Sequence, residues 1–446
     1  MFVDPWLPRA AAVAPRRVAV HTPAGSWTYA ELLTTARDGA GWLAQRGVGA
    51  GHRVAIALPP GLGFVQALHA VMWLGAVAVP IDPRLTDAER ELVSRGAAAV
   101  VEQPLWEGPS PGGSAGLAGS AARLDLEAAA VIVHTSGTTA APRPVSLTYG
   151  NFLWSALGSA VALGLDPDER WLCAMPVSHV GGLSILLRSV IYATTAVVHE
   201  RFEPEAVLRA LQDEDITLVS VVATTLGRLL DAGLRRPPRL RLALAGGGPV
   251  PAALLARARE AGVAVSETYG LTESCSQATT VPAALAGDPG QHGAGSPLFC
   301  THVRIGGDGE IFLRGATIAP GAVGDDGWLA TGDLGRLDAG GSLHVTGRKA
   351  DTIISGGENV APAEVEAVLE AHPDVLEAAV VARADPRWGE AVTAVVVPRN
   401  GDALDPEVLR AHCAAVLAPY KVPRRVLLAD GPLPRTRSGK LLRREL

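Results

Sequence analysis

From about residue 128 to 266, short apolar β-rich runs alternate with stretches of helical periodicity: VIVH then 151–163, WLCAM then 182–192, TAVVH then 204–213, TLVSVV then 225–233, LALAG then 250–261, and finally VAVSE. Such alternation predicts βαβ units on a mostly parallel sheet. It also places ligands at the carboxyl ends of the strands. The polar and glycine-rich segments TSGTT, PVSHVGG, GGGP and ETYGLTES all fall there. Residues 17–100 repeat the style with RVAIALP, a helix through Gly75 and AVAVPID, so a second layer of the same kind is expected. Pro, Gly and Ser over 103–120 read as a loop or linker. Between Gly295 and Val345, short strands broken by Gly and Asp predict a small β-barrel subdomain. After Gly347 a new module begins, with Pro362 opening a helix. The expected fold is α/β: residues 1–348 form a large domain of two doubly wound αβ subdomains plus the small barrel, and residues 349–446 a small α+β domain.

Composition narrows the class. With 446 residues, 48% of them hydrophobic and 19% charged, the chain exceeds one ordinary core and disorder is not the default. Cys173, Cys275, Cys300 and Cys413 lie far apart with no C-x-x-C, which argues against a disulfide framework or a zinc site. The N-terminus lacks a basic region followed by an apolar one, and no uncharged apolar run is long enough to span a bilayer. A cytoplasmic protein without stable membrane insertion is expected. A net charge of −6 disfavours nucleic acid as the main partner, although Lys421, Arg424, Arg425, Arg435, Arg437, Lys440, Arg443 and Arg444 gather positive charge near the C-terminus.

The run HTSGTTAAPRPV, His134 to Val145, combines hydroxyls, a glycine and an arginine between an apolar strand pattern and a helix expected near Asn151. Backbone N–H groups, Ser/Thr hydroxyls and a fixed cation can replace the water around a phosphate. It is not a Walker loop, since no G-x-x-x-x-G-K-[ST] occurs anywhere in the chain. Ser, Thr, Gly and Pro also make ordinary surface turns, so the run acquires meaning only from its companions.

Those companions are YGLTE (269–273), TGD (331–333), GRKADTIISGGENVAPAEVE (347–366) and PRTRSGK (434–440). In this order and approximate spacing, and over nearly the whole chain, the five segments resemble the adenylate-forming superfamily of acyl-CoA synthetases, peptide-synthetase adenylation domains and luciferases. The resemblance implies an AMP-forming acid-thiol ligase that uses ATP, Mg²⁺ and coenzyme A. A carboxylate is a poor electrophile, so it is first joined to the α-phosphate of ATP, and a thiolate then displaces AMP. Such a site must supply positive charge and oriented donors where negative charge builds up.

The resemblance assigns Thr135, Ser136, Gly137, Thr138 and Thr139 to the phosphates, with Arg143 as the loop's charge. Thr272 would contact the α-phosphate, and Glu273 would hold Mg²⁺. Tyr269 would stack on adenine beside the close-approach run Gly246, Gly247 and Gly248. Asp333 would accept from the ribose hydroxyls, with Arg348 nearby, and Lys440 would bridge the acyl carboxylate and the α-phosphate. The small domain is expected to be mobile, turning about a boundary at Lys349 to Asp351. Where the superfamily reads TSGTTG-x-PKG, this chain has Ala140, Arg143 and Pro144. If the family glycine needs positive φ, Ala140 costs roughly 1–2 kcal/mol. Pro144 removes a backbone donor, and Arg143 offers a planar fork in place of a compact ammonium.

Residues 147–202, with TLVSVVATTL and TYGLTESCSQATT, are most similar to the branch of the superfamily that acts on o-succinylbenzoate in menaquinone biosynthesis. That acid is a dicarboxylate, so one carboxylate stays free. Arg188 stands in the apolar helix pattern GGLSILLRSVIY, where an unpaired guanidinium is costly. It should meet an anion: the free carboxylate, or a protein carboxylate if it does not snorkel to the surface. His179, Ser220, Thr224 and Ser276 are further candidates for the acyl pocket. The expected partners are a small carboxylic acid, ATP and CoA, and a homodimer is compatible with the sequence. The alternatives are another aryl- or fatty-acyl-CoA ligase and, from a different class, a non-catalytic nucleotide-binding protein.

Overall fold

The computed structural model describes residues 1–105, 121, 123–135, 142–291, 293–399, 404–435 and 441–446. Two sheets sandwich most of the large apolar core. In the first, Ala99–Val101, Arg53–Ile56, Val77–Pro80 and Ala129–Thr135 run parallel in that spatial order, and Arg143–Thr148 closes the edge antiparallel to Ala129–Thr135. In the second, the central strands Val265–Tyr269, Leu242–Ala245, Leu218–Val221, Arg170–Cys173, Thr195–Val198 and Val18–Thr22 are parallel neighbours.

The alternating pattern therefore yields the expected doubly wound layers, with one redistribution. The strand ending at Thr135 belongs with residues 53–101, whereas Val18–Thr22 crosses into the second sheet. A strand was also missed between the hydroxyl-rich run and its helix. Residues 143–148 pair back on 129–135, because Val145 and Leu147 alternate inward with exposed Arg143 and Ser146. The described ends of the run, His134-Thr135 and Arg143 to Val145, thus lie on two paired antiparallel strands, and the helix that follows is Tyr149–Leu163. Thr148 caps that helix reciprocally with Asn151, satisfying two backbone donors at its start.

The core between the sheets gathers Tyr29, Phe64, Tyr149 and Trp171 with the leucines of the helices Tyr29–Ala44, Leu62–Trp73 and Val180–Tyr192. Each fully buried side chain of this size contributes about 1.5–3 kcal/mol. Tyr29 spans 160 residues of sequence to place its hydroxyl on the Ser189 carbonyl at 2.9 Å, which pins the end of the helix carrying Arg188.

The expected small barrel is, among the described residues, a four-stranded antiparallel meander: Thr301–Ile305, Glu310–Gly315, Leu329–Leu337 and Leu343–Arg348. A short 3₁₀ turn, Lys349–Asp351, leads into a further five-stranded sheet. Its long strands Val375–Asp385 and Gly389–Pro398 are covered by Pro362–Glu370 and Pro406–Ala414 around the buried Val380, Val392 and Leu409. Most of the segment expected to be a linker, 106–120, lies outside the described residues. Among the described residues no helix is long and apolar enough to cross a membrane.

Candidate active site

Asp333 sits on Leu329–Leu337 directly across from Arg348 on the neighbouring strand. Its side chain is 5% exposed, and Arg348 Nε lies 2.9 Å from one carboxylate oxygen. The other oxygen accepts from the Tyr269 hydroxyl at 2.8 Å. Burial, and then the Asp333 charge, push the Tyr269 pKa up, so the phenol stays a donor. Three residues read from three separate motifs therefore meet in one hydrogen-bonded group. Thr331 completes its frame, accepting from the Asp333 N–H at 3.1 Å and donating to the Ile311 carbonyl at 2.7 Å.

The chain turns sharply after Tyr269. Thr272–Ser274 form a 3₁₀ turn, and Cys275 and Ser276 both take positive φ, 53° and 88°. Gly270 makes this possible, because a Cβ there would lie 1.6 Å from the Ser276 carbonyl oxygen. The Ser274 hydroxyl ties the turn by accepting from the Leu271 N–H at 2.8 Å. Thr272 and Glu273 are half-buried on it, and among the described residues the Glu273 carboxylate has no hydrogen-bond or ion-pair partner. A single free carboxylate suits magnesium, which keeps most of its shell as water and phosphate oxygens.

On the adjacent strand end, Gly246 comes so near Thr268 that a Cβ would lie 2.8 Å from its Cγ2, and Gly247 has φ +79°. The run of three glycines thus keeps backbone exposed beside the Tyr269 strand. Thr135 and Arg143 face each other as the last cross-strand pair of their two strands, with the Thr135 hydroxyl 3.3 Å from the Arg143 carbonyl. Arg143 is exposed. Ser136, Gly137, Thr138, Thr139 and Ala140, together with Lys440, lie outside the described residues.

Arg188 is 2% exposed. Its Nη2 donates to the Ser155 hydroxyl at 2.9 Å, the guanidinium lies 5.7 Å from the Trp171 ring centroid, and its Nε is buried without a partner. No carboxylate pairs with it among the described residues, and it does not reach the surface. Burial pushes its pKa down, while the neighbouring Tyr192 and Cys275 oppose that shift. Both bland alternatives for this arginine, a protein ion pair and snorkelling, are absent from its described surroundings.

The other pocket candidates separate. The Ser220 hydroxyl accepts from Trp171 Nε1 at 3.0 Å, so it holds the ring that lies near the Arg188 guanidinium. Thr224 starts the helix Ala223–Asp231 and is half-buried. Ser276 stands in the left-handed turn after Glu273. His179 caps Val180–Tyr192, and burial holds its imidazole below the usual range, with Asp82 opposing and Arg84 adding to the effect. Asp82 and Arg84 were missed in the sequence. They form a forked ion pair, with contacts of 2.8 and 2.6 Å, on the loop after Val77–Pro80. Lys349 was missed too; its Nζ bonds Asp308 at 2.6 Å and Glu310 at 2.8 Å, while Glu310 also accepts from the Gly332 N–H at 3.0 Å, next to Asp333.

Residues 7–101 and 93–322 match the family described as AMP-binding enzyme, and residues 364–440 match the AMP-binding enzyme C-terminal domain. The 2-succinylbenzoate–CoA ligase of Geobacillus kaustophilus is 40% identical over 477 residues, covering 99% of this chain and 96% of that protein. The o-succinylbenzoate CoA synthetase of Bacillus subtilis, solved with the acyl-adenylate intermediate OSB-AMP, superposes with a TM-score of 0.89 at 35% identity over 100% of this chain and 98% of that one. The same enzyme in complex with ATP and a magnesium ion gives a TM-score of 0.87 at 35% identity, covering 100% of both chains.

Proposed function

The chain belongs to the AMP-binding enzyme family, and from that premise we propose that it activates 2-succinylbenzoate with ATP and passes the acyl group to coenzyme A. A carboxylate oxygen attacks the α-phosphorus, the bond to pyrophosphate breaks, and an acyl-adenylate forms. A thiolate then attacks the acyl carbon and AMP leaves with the bonding electron pair.

The residues of the site divide the first step between them. Asp333, held by Arg348 and Tyr269, is the carboxylate assigned to the ribose hydroxyls. The glycines 246–248 let the nucleotide lie against backbone. Thr272 faces the α-phosphate, and Glu273 is the carboxylate assigned to magnesium, which neutralises phosphate charge when bound. Residues 135–139 and Arg143 are assigned to the phosphates, and Lys440 to the acyl carboxylate and the α-phosphate. These last assignments rest on the resemblance of their motifs. We place the domain boundary between Arg348 and Lys349, with 1–348 forming the nucleotide and acyl site and 349–446 turning between the two steps; the 3₁₀ turn Lys349–Asp351 supports that position.

One observation carries the choice of acid: a buried guanidinium with a single hydroxyl partner and no described carboxylate. A buried cation without a counter-ion is unfavourable until an anion arrives, and the carboxylate left free on a dicarboxylic acid is such an anion. We assign His179, Thr224 and Ser276 to the remainder of the acyl pocket, together with Ser220, whose hydroxyl holds Trp171. The test is pyrophosphate release across matched mono- and dicarboxylic aromatic acids. We expect efficient turnover only when the second carboxylate is present; equal kcat/KM for a matched pair overturns the assignment.

A further inference from the structure

Ser155 connects two parts of the site that no sequence motif joins. Its hydroxyl accepts from Arg188 Nη2 at 2.9 Å and donates to the carbonyl of Cys275 at 2.7 Å. Both contacts are buried, and Ser155 itself is 1% exposed. Cys275 is the residue at which the backbone enters the left-handed region directly after Thr272–Ser274, a conformation that costs a non-glycine residue free energy and needs support. The same helix grips the turn from a second direction. Asn151 Nδ2 holds the carbonyls of Ala316 and Ile318 at 3.0 Å each, and the N–H of Ala319 holds the Glu273 carbonyl at 2.8 Å.

We propose that Ser155 is a positioning residue that relays occupancy of Arg188 by the acid's distal carboxylate to the turn bearing Thr272 and Glu273. The proposal rests on the reading of Arg188 given above. With Arg188 lacking an anion, its hydrogen bond draws the Ser155 oxygen toward a buried cation. When a carboxylate draws the guanidinium toward itself, the Ser155 oxygen moves with its donor, and through the bond to the Cys275 carbonyl the turn settles where Thr272 meets the α-phosphate and Glu273 meets the metal. The distal carboxylate thereby contributes to the rate of adenylation as well as to binding, which is binding energy used at the reacting centre. A hydrogen bond to a charged group of this kind is worth about tenfold in rate or more.

The experiment measures kcat and KM for pyrophosphate release by Ser155→Ala and Ser155→Thr, using 2-succinylbenzoate and a matched aromatic acid without the distal carboxylate. Ser155→Ala is expected to lower kcat about tenfold with the dicarboxylate, to change it less than about twofold with the monocarboxylate, and to raise the Mg²⁺ concentration needed for half-maximal rate. Ser155→Thr, which keeps the hydroxyl, restores most of the loss. Equal losses with both acids, or no loss with either, overturn the relay. If Ser155→Ala does not fold, Ser155→Cys keeps the volume with a weaker hydrogen bond and faces the same comparison. Arg188→Met measured in parallel separates the two claims. If it leaves the preference for the dicarboxylate intact, the reading of Arg188 fails and the relay with it; if it abolishes that preference while Ser155→Ala keeps full kcat, the relay alone fails.

Discussion

The Tyr269 hydroxyl donates to Asp333 at 2.8 Å across 64 residues of sequence, and Arg348 engages the other oxygen of the same carboxylate. Two protein contacts fix the orientation of the carboxylate, so a ribose meets a group that does not have to reorganise. Tyr269→Phe keeps the ring and removes the anchor. We expect KM for ATP to rise about three- to tenfold, the value of one hydrogen bond, with KM for the acid unchanged. Steady-state pyrophosphate release with each substrate varied in turn checks this.

Arg188→Met replaces a buried cation by an apolar side chain of similar length. KM for 2-succinylbenzoate should rise at least about tenfold, since a charge-assisted bond is lost, while KM for ATP stays within about twofold. Because the guanidinium has no described carboxylate partner, its removal should leave the melting temperature equal or higher. A marked fall in melting temperature contradicts the view that Arg188 is kept for a ligand.

These two residues show how much of the site could be seen in one dimension. Tyr269, Asp333 and Arg348 were found because each belongs to a short ordered motif, and their meeting follows from the strands that carry them. Arg188 stood out as a charge in an apolar helical pattern. Ser155 left no such mark: a serine on a helix face is unremarkable, and its partners lie 33 and 120 residues away. Lys349 was read only as the start of the domain boundary, yet Asp308 and Glu310 of the meander receive it. Alternation located the helix Pro204–Asp213 and the strand Leu242–Ala245 closely, but it could not say which sheet Ala129–Thr135 would join. That choice depends on which apolar faces meet, and Arg143-Pro144 hid the start of the strand that pairs back on 129–135.

Gly270→Ala tests the turn itself. A methyl group 1.6 Å from the Ser276 carbonyl oxygen cannot be accommodated without moving backbone, and the backbone that would move carries Thr272 and Glu273. The variant should lose adenylation by about a hundredfold or more, as displaced catalytic groups do. Wild-type-like pyrophosphate release would show that the turn's geometry is not needed.

Lys440→Ala should block pyrophosphate release from ATP and acid yet spare transfer from a supplied acyl-adenylate to CoA. The lysine is assigned to charge that builds up only while the α-phosphate is attacked, so the two half-reactions should respond differently. Separate assays of each half-reaction decide the matter, and equal loss of both removes the assigned role.

Glu267 gives a prediction about stability. It shares the strand Val265–Tyr269 with Tyr269, and burial pushes its carboxyl up to about 7, so the folded protein favours the protonated form. Its contribution to stability is complete below the ordinary carboxylate range and is lost as pH rises through about 7, where folding must bury a charge. Glu370, also raised to about 7, adds a contribution of the same sign. Glu267→Gln keeps the shape without the charge. The variant should therefore melt higher than the parent at about pH 8, and the difference should shrink toward about pH 5. Thermal melts of both proteins across that range measure it; a difference that grows as pH falls means that Glu267 is held as the carboxylate.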